Sequence, residues 1–483
     1  MPEQTTAFKP SLGLLDATMV VAGSMIGSGI FIVSADITRH VGSAGWLIIV
    51  WLITGFMTIT AAVSYGELSS MFPKAGGQYV YLKESYNPLI GFLYGWSFFA
   101  VIQTATIAAV GVAFARFTAY FITGFSEKNI LFSFNIASAN FHISAAQVVS
   151  ICVIVLLTYI NTRGIQSGKI IQTIFTSTKL IALFGLILFG FFLVKESFWN
   201  ANWHTGLNAA QDLGAKDSAG ILQPTGWKTI GIVTLIGAVA ASMTGSIFSS
   251  DAWNNVTFIA GEIKNPKRNI GLSLFLGTLI VTIIYVATNL MYLQVLPLNE
   301  VAFPQDDRLA VAAAKVIFGS AGQTIIALLI MVSTFGCING LVLAGARVYY
   351  TMAQDGLFFK KAATLNKNAV PQWSLWAQCV VAAVLCLSGS YGQLLDMISF
   401  VAVGFYVLTI LGIFILRRTK PNADRPYKAF GYPLLPAIYI LMGTAFCVLL
   451  IIFKPEFTWP GLIITLLGIP IYYLAVANKK SSS

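Results

Sequence analysis

Two short runs of glycine and serine interrupt long apolar segments, and their chemistry suits the binding of a small charged solute. The first, Gly-Ser-Met-Ile-Gly-Ser-Gly, occupies residues 23–29, and the second, Gly-Ser-Ile-Phe-Ser-Ser-Asp, occupies residues 245–251. A helix that is broken leaves free N–H groups at one new end and free carbonyl oxygens at the other. Free N–H groups at the positive end of a helix dipole suit a carboxylate, and carbonyls suit an ammonium. Two such ends that face each other would bind a zwitterion.

The first interruption predicts free N–H groups from about Ser28 onward, and the second predicts free carbonyls near Phe248 and Ser249. Such a receptor needs no ionised side chain, which would be costly in hydrocarbon. Taken alone, the first run could instead be small-residue helix packing of the GxxxG kind. Paired interruptions in two halves of a chain favour a transporter binding site. The candidate substrate-binding residues are Ile26, Gly27, Ser28, Gly29, Phe248, Ser249, Ser250, Asp251, Ala252 and Trp253.

A single cation lies deep in an apolar segment. Lys179 is near the middle of segment 165–194, roughly 20 Å from either end at about 1.5 Å per residue, which is too deep for its ammonium to reach water easily. An ionisable group at this depth is a functional candidate by default. It could replace a bound metal cation, bridge helices by donating to their carbonyls, or exchange protons; a purely structural strut is the alternative.

Two further residues of the second interruption have open roles. Asp251 could contact a substrate ammonium or guanidinium, cap the short helix that follows, or face water. Trp253 could cover a bound ligand, since large aromatic side chains exclude water, or anchor its helix in a general way.

The elements that must position these groups are membrane helices. The chain has 483 residues, of which 57% are hydrophobic and 10% charged, with a mean hydropathy of +0.79; this composition indicates an integral membrane protein. Runs of about 20 mostly apolar residues predict an all-α protein with twelve transmembrane helices. Their approximate bounds are 12–40, 44–70, 88–122, 142–163, 165–194, 228–259, 270–296, 321–353, 373–389, 394–417, 434–453 and 458–477.

The Lys and Arg residues behind the net charge of +11 are divided unequally between the loops of the two sides, and this inequality indicates the topology. With an even number of spans both termini share one side, and the loops of that side hold about twice as many Lys and Arg residues as the others. The bias predicts cytoplasmic termini and a multi-pass protein of the cell membrane. Because the charge is accounted for by loops that face lipid headgroups, no basic stripe remains for nucleic acid.

Enzymatic, metal and cofactor chemistry find little support in the sequence. No HExxH motif, paired-glutamate constellation or Walker loop is present, so no cofactor or metal is expected. The cysteines lie in apolar runs without metal-ligand spacing and predict neither a disulfide framework nor a zinc site. They are Cys152, Cys337, Cys379, Cys386 and Cys447. The first residues also lack a basic cluster, so no cleavable leader is expected.

Several motifs resemble the L-type amino acid transporter branch of the amino acid–polyamine–organocation (APC) superfamily, over about residues 12–473. These are residues 23–31, 175–180 (Phe-Thr-Ser-Thr-Lys-Leu), 248–254, 262–269 (Glu-Ile-Lys-Asn-Pro-Lys-Arg-Asn), 335–340 (Phe-Gly-Cys-Ile-Asn-Gly), 346–347 and 425–428 (Arg-Pro-Tyr-Lys). The resemblance implies one transmembrane domain, 1–483, with the leucine-transporter fold. Two inverted repeats of five helices, 12–194 and 228–417, are followed by two helices in 434–477.

The resemblance also implies roles for individual residues. Residues 27–29 would bind the substrate carboxylate, residues 248–250 its amino group, and Phe248 or Trp253 would lie near the outer gate. Lys179 would occupy the region where sodium-coupled relatives bind sodium, with Ser333 and Thr334 beside it and Tyr285 as a further contact. Ala252 replaces a glycine of many relatives and residues 249–250 are Ser-Ser rather than Ala-Tyr, so side-chain specificity is not carried over.

The function expected from the resemblance is sodium-independent transport of L-amino acids, neutral ones above all, by exchange. Animal relatives bond a heavy subunit through a cysteine in the loop at 123–141; this loop has none, which favours a bacterial-type member without that partner. Asp251 and Lys179 leave open a proton-coupled or cationic amino acid permease. The alternatives of other classes are an amino acid sensor on a transporter fold and a membrane-embedded enzyme. A sensor usually needs an output tail or domain, and the predicted cytoplasmic ends are short. An enzyme would need polar catalytic groups that face one another, and the sequence offers few ionisable candidates.

Overall fold

Long apolar helices make up most of the protein. The computed structural model describes residues 10, 12–73, 76–136, 139–163, 165–217, 222–368, 370–388 and 391–480. Its α-helices are α1 (Leu14–Met25), α2 (Val33–Val41), α3 (Ala44–Met71), α4 (Gln78–Ser85), α5 (Pro88–Ser97), α6 (Gln103–Phe121), α7 (Ala145–Thr162), α8 (Ile165–Phe192), α9 (Trp199–Trp203), α10 (Ile232–Ser249), α11 (Asn255–Phe258), α12 (Pro266–Val295), α13 (Leu298–Ala302), α14 (Leu309–Gln354), α15 (Gln372–Ser388), α16 (Tyr391–Thr419), α17 (Leu434–Phe453) and α18 (Pro455–Lys480).

Within the described ranges, eight helical segments are long and apolar enough to cross a membrane. They are α3, α5 with α6, α7, α10, α12, α14, α16 and α17. Shorter apolar helices are α1, Thr178–Phe192 of α8, α15 and Thr458–Leu474 of α18. The chain is therefore a multi-pass helical membrane protein, as its composition indicates.

Both predicted interruptions are present as breaks in the helices. The predicted span 12–40 consists of α1 and α2, with a 3-10 turn at Gly29–Phe31 between them. The predicted span 228–259 consists of α10 and α11, which are separated by residues 250–254. Irregular backbone of this kind needs protein around it in a membrane, and the residues of both breaks are mostly buried.

Two other predicted spans adjoin or contain an irregular turn. α14 consists of two helical stretches that meet at a kink at Gly319, where φ is +73°; glycine takes this conformation without steric cost. The stretch after the kink agrees with the predicted span 321–353, and the stretch before it, from Leu309, lies outside that prediction. The predicted span 88–122 contains a π-helical turn at Phe98–Ile102 between α5 and α6.

The loops depart from an all-helical chain. An antiparallel hairpin joins β1 (Ile130–Ile136) to β2 (Ala139–Ser144) after α6. The sequence does not show whether the loop at 195–227 is structured. In this loop β4 (Ala215–Lys216) pairs with β5 (Leu222–Gln223), and β3 (Ala210–Gln211) pairs with β6 (Lys228–Thr229), which directly follows the loop. The strands β3 to β6 have two residues each, which is too short for a recognisable period-two signal.

Packing brings the breaks to the centre of the molecule. α12 packs against α3, α1 and α8, and α14 packs against α8 and α6. α10 packs against α2 and α16. Side chains of α8, α12, α14 and α16 can therefore reach the broken spans.

Asp212 organises the loop at 195–227. Its carboxylate accepts hydrogen bonds from the N–H groups of Gly214 (2.9 Å) and Gly226 (2.8 Å) and from both the N–H and the hydroxyl of Thr225. Burial favours the neutral acid, but these hydrogen bonds outweigh it and hold the pKa of Asp212 below its usual value of 3.8. The ionised carboxylate is thus the form that the folded loop stabilises.

Replacing Asp212 by asparagine is expected to raise the hydrogen-exchange rate of the Gly214 and Gly226 amides about tenfold, because charge-assisted bonds are lost. Since the folded pKa is depressed, the wild-type loop should keep its full protection above about pH 4 and lose it as the pH falls through the folded pKa. Asp217→Asn in the same loop, where the carboxylate makes an exposed bond with Gln223, is the control. Equal exchange rates in both variants would contradict this role.

Candidate substrate site at two helix breaks

The first break leaves a row of backbone donors. α1 ends at Met25, and the N–H of Gly27 turns back to the Met25 carbonyl at 2.8 Å. In the described part of the chain, the N–H groups of Ser28, Gly29 and Ile30 donate to no backbone carbonyl, and all three residues are buried. Buried N–H groups need an acceptor, and a carboxylate would supply one. The geometry thus matches the predicted anion-binding end.

The second break matches its prediction less closely. The carbonyl of Phe248 already accepts from the N–H of Asp251 at 3.2 Å, and the carbonyl of Ser249 accepts from the Tyr285 hydroxyl at 2.8 Å. The prediction of free carbonyls at these two positions is therefore wrong. Each oxygen still has a second lone pair for an ammonium. Within the break, Ala252 has a left-handed backbone conformation, with a φ of +62°.

The two breaks touch at Gly29. A Cβ atom at this position would overlap the side chain of Ser249 and lie 3.0 Å from its Cα atom. At Gly27 a Cβ atom would lie 3.3 Å from the sulfur of Cys337 on α14. Glycine is needed at residue 29 because the backbone of the first span passes directly against the second.

Lys179 is fixed to the first break. Its ammonium donates to the carbonyl oxygens of Gly23 and Ile26, each at 2.6 Å, and the side chain is 1% exposed. These carbonyls belong to the broken end of α1, where no intrahelical partner is available. Of the predicted roles, the geometry matches a bridge between helices. The side chains of residues 175–177 in the same motif lie outside the described part.

Tyr285 connects both breaks. Its hydroxyl oxygen lies 3.0 Å from the carbonyl oxygen of Met25 and 2.8 Å from that of Ser249. Its single proton can serve one carbonyl at a time or be shared between them. Tyr285 thereby holds the two broken helix ends at a fixed separation.

The two hydroxyl residues expected beside Lys179, Ser333 and Thr334, make no hydrogen bond to either break among the described residues. Thr334 donates to carbonyls of its own helix, at Ile330 and Met331. The Ser333 hydroxyl is buried and has no hydrogen-bond partner among the described residues. Within those residues, neither hydroxyl is hydrogen-bonded to Lys179.

Asp251 is paired rather than capping. Its carboxylate accepts a short hydrogen bond from the Tyr406 hydroxyl of α16. α11 begins after Asn254 without a side-chain cap, so the capping alternative is wrong. Two cavities of about 20 Å³ each touch Asp251, and each has room for about one water molecule. The second break is thus closely packed around a carboxylate.

The aromatic residues separate into two groups. Trp253 is 2% exposed and packs against Tyr65 and Tyr406, with ring centroids 4.7 and 5.2 Å apart. It lies at the α11 end of the second break, beside Asn254, and its contacts do not support a position at the outer gate. Phe248 packs instead edge-on against Tyr391, the first residue of α16, at 6.1 Å.

Sequence reasoning missed three side chains at this site. Tyr391 approaches Ser28, with 3.1 Å between their hydroxyl oxygens; Tyr406 holds Asp251; and the thiol of Cys337 lies beside Gly27. Tyr391 and Tyr406 belong to no motif, and Cys337 lies in the motif at 335–340 but was given no role in the site. Each of the three meets its partner across more than a hundred residues of chain. Only the packing of α14 and α16 onto the breaks reveals them.

Comparison with known proteins identifies the family of the chain. The family model described as amino acid permease matches residues 12–476. The chain is 27% identical over 474 residues to Asc-type amino acid transporter 1 of Mus musculus, covering 98% of this chain and 82% of that protein. It is 28% identical over 477 residues to large neutral amino acids transporter small subunit 2 of Homo sapiens (97% and 81%). With b(0,+)-type amino acid transporter 1 of Homo sapiens the identity is 26% over 486 residues (99% and 90%). A family of transporters, not of enzymes, thus matches nearly the whole chain, which belongs to the amino acid permease family.

Proposed function

We propose that the protein is a sodium-independent transporter that exchanges neutral L-amino acids across the cell membrane by alternating access. The observation that carries the proposal is the row of buried N–H groups at residues 28–30, which have no backbone acceptor among the described residues and lie directly against Ser249 at the second break. This arrangement suits the one feature that all amino acids share, a carboxylate beside an ammonium. Membership of the family and the printed names of the relatives support amino acids as the cargo.

The proposed architecture is the leucine-transporter fold with twelve spans. Residues 12–194 and 228–417 would form the two inverted repeats, and residues 434–477 the last two helices. The corresponding positions of the two breaks support this, as do the long and the shorter apolar helices. The distribution of Lys and Arg supports cytoplasmic termini. The absence of cysteine from residues 123–141 supports function without a disulfide-linked heavy subunit.

Sodium independence is supported by Lys179. Its ammonium donates at 2.6 Å to two carbonyls of the broken helix. Carbonyl oxygens at an unwound helix end are the ligands that coordinate sodium in transporters of this architecture. A permanently attached cation at these oxygens would make a diffusible one unnecessary.

The experiment is uptake into liposomes that contain the purified protein. A panel of radiolabelled amino acids is offered with and without unlabelled amino acid inside, at equal sodium and pH on both sides. Exchange predicts rapid uptake of neutral amino acids only into loaded vesicles, with no response when sodium replaces choline. Uptake into empty vesicles that follows a pH gradient would favour proton coupling instead, and no uptake under any condition would contradict transport.

Asp251 supports a second candidate, a permease for cationic amino acids. Its carboxylate lies in the second break, next to two small cavities. If it binds a guanidinium or ammonium, Asp251→Asn should reduce arginine and lysine uptake at least about tenfold while leucine uptake changes little, because a charge-assisted hydrogen bond is lost only with cationic side chains.

The matched control is Asp396→Asn. Asp396 is also buried, but it lies 3.4 Å from the ammonium of Lys454, and among the described residues it makes no hydrogen bond to residues 250–254. Its replacement should not change the ratio of arginine to leucine uptake. An equal loss of all substrates in the Asp251 variant would reject the cationic reading.

A further inference from the structure

Tyr391, the first residue of α16, contacts residues at both breaks and on α6. It belongs to none of the sequence motifs described above. It is 5% exposed and makes three contacts with different parts of the molecule. Its hydroxyl oxygen lies 3.1 Å from that of Ser28, its ring packs edge-on against Phe248, and the guanidinium carbon of Arg116 lies 5.7 Å from its ring centroid. One side chain of α16 thus touches the first break, the second break and the end of α6.

The Tyr391 hydroxyl lies beside Ser28, one of the residues predicted to bind the substrate carboxylate. Ser28 is the first of the residues with an unpaired N–H, and its side-chain oxygen is the one that Tyr391 approaches. Among the described residues the two hydroxyls hydrogen-bond only each other. Either can rotate its proton toward an incoming anion. A carboxylate seated on the N–H groups would therefore find two further donors beside it, and hydrogen bonds to a charged acceptor are the strong ones.

The ring connects this position to a group of ion pairs. Arg116 lies 3.2 Å from Glu127 and 3.9 Å from Asp307, and Asp307 lies 2.8 Å from Arg39. Arg39 is on α2, the helix that continues from the first break. The contacts thus run from the break through Tyr391 and Arg116 to the loop after α13, and return to the same broken span.

We propose that Tyr391 is a substrate-binding residue whose hydroxyl, together with Ser28, completes the receptor for the α-carboxylate of the amino acid. The inference rests on the proposed function, because it requires an amino acid at the breaks. It adds a specificity: the site should favour a free carboxylate over a neutral carboxamide, through a side chain outside the two breaks.

The test is Tyr391→Phe, which removes the hydroxyl and keeps the ring. In liposomes loaded with leucine, the KM for leucine should rise at least about tenfold while the maximal rate stays within about threefold, because a hydrogen bond to a charged group is lost. The same substitution in a Ser28→Ala background should add less than about threefold, since the two hydroxyls serve one acceptor. Inhibition of wild-type uptake by leucinamide should require a far higher concentration than inhibition by leucine.

Tyr120→Phe is the matched control. The Tyr120 hydroxyl lies 3.1 Å from the hydroxyl of Thr324, and the guanidinium carbon of Arg308 lies 5.8 Å from the Tyr120 ring centroid. Among the described residues, however, Tyr120 makes no hydrogen bond or ring contact with either break. Its KM for leucine should be that of the wild type. Should Tyr391→Phe not yield folded protein, Tyr391→Trp keeps an aromatic ring without the phenolic oxygen and should show the same rise in KM.

The outcomes separate the two proposals. A wild-type protein that carries no amino acid contradicts the proposed function and the inference together. A wild-type protein that carries leucine, combined with an unchanged KM in Tyr391→Phe or an equal rise in Tyr120→Phe, overturns the inference alone.

Discussion

Replacing Lys179 by methionine is expected to reduce amino acid exchange at least about 100-fold while the protein still reaches the membrane. The substitution removes both hydrogen bonds to the broken end of α1 and leaves the carbonyls of Gly23 and Ile26 buried without their donor. Each unpaired buried carbonyl costs about 1–3 kcal/mol, so the first break should lose its fixed shape. Methionine keeps an unbranched side chain that is only one atom shorter than that of lysine, so lost packing contributes little.

Exchange is measured in liposomes at matched protein content, and folding is checked by elution as a single species in detergent. Lys195→Met is the control, because Lys195 is an exposed cation just beyond the end of the same helix; its exchange rate should be unchanged. Near-normal exchange in Lys179→Met would reject the role of the lysine. Exchange that returns in this variant only when sodium is added would show that the ammonium stands in for a metal cation.

Gly29→Ala is expected to have the second large effect. The added methyl group would overlap Ser249 and approach its Cα atom to 3.0 Å, so the contact is with backbone as well as side chain. Relief would require the two breaks to separate, which would displace the N–H groups at residues 28–30 from the carbonyl of Ser249. We expect exchange to fall at least about 100-fold, because misplacement of a binding group by about 1 Å costs roughly that much.

The control for this prediction is Gly185→Ala. Gly185 lies within α8, and a Cβ atom there would meet nothing within 4 Å. Alanine is the better helix former, so the control should be as stable as the wild type or more stable. Exchange rates are compared at equal reconstitution. Full activity of Gly29→Ala would mean that the two breaks are not in contact when substrate is carried.

The sequence predicted the breaks because their cause is local. Glycine and serine within an otherwise apolar run weaken a helix wherever they lie, so residues 23–29 and 245–251 could be identified without knowledge of the fold. Lys179 was equally visible, because a cation in the middle of an apolar segment is anomalous in any membrane protein. Its partners at Gly23 and Ile26 follow from the packing of α8 near α1.

What the sequence could not predict depends on contacts between distant helices. The carbonyl of Ser249 looks free in the sequence, and only the packing of α12 shows that Tyr285 occupies it. Tyr391 and Ser28 are 363 residues apart, and a tyrosine at the start of a span is also an ordinary interfacial anchor. The outward role expected for Trp253 came from the resemblance, and its contacts with Tyr65 and Tyr406 do not support it.

The central claim is that an amino acid binds where the two breaks meet, and a structure determined with bound leucine tests it most directly. We expect a carboxylate oxygen about 3 Å from the N–H groups of Ser28, Gly29 and Ile30, with the amino group near the carbonyl oxygens of residues 248–250. Leucine bound elsewhere, with the N–H groups of residues 28–30 still without an acceptor, would contradict it.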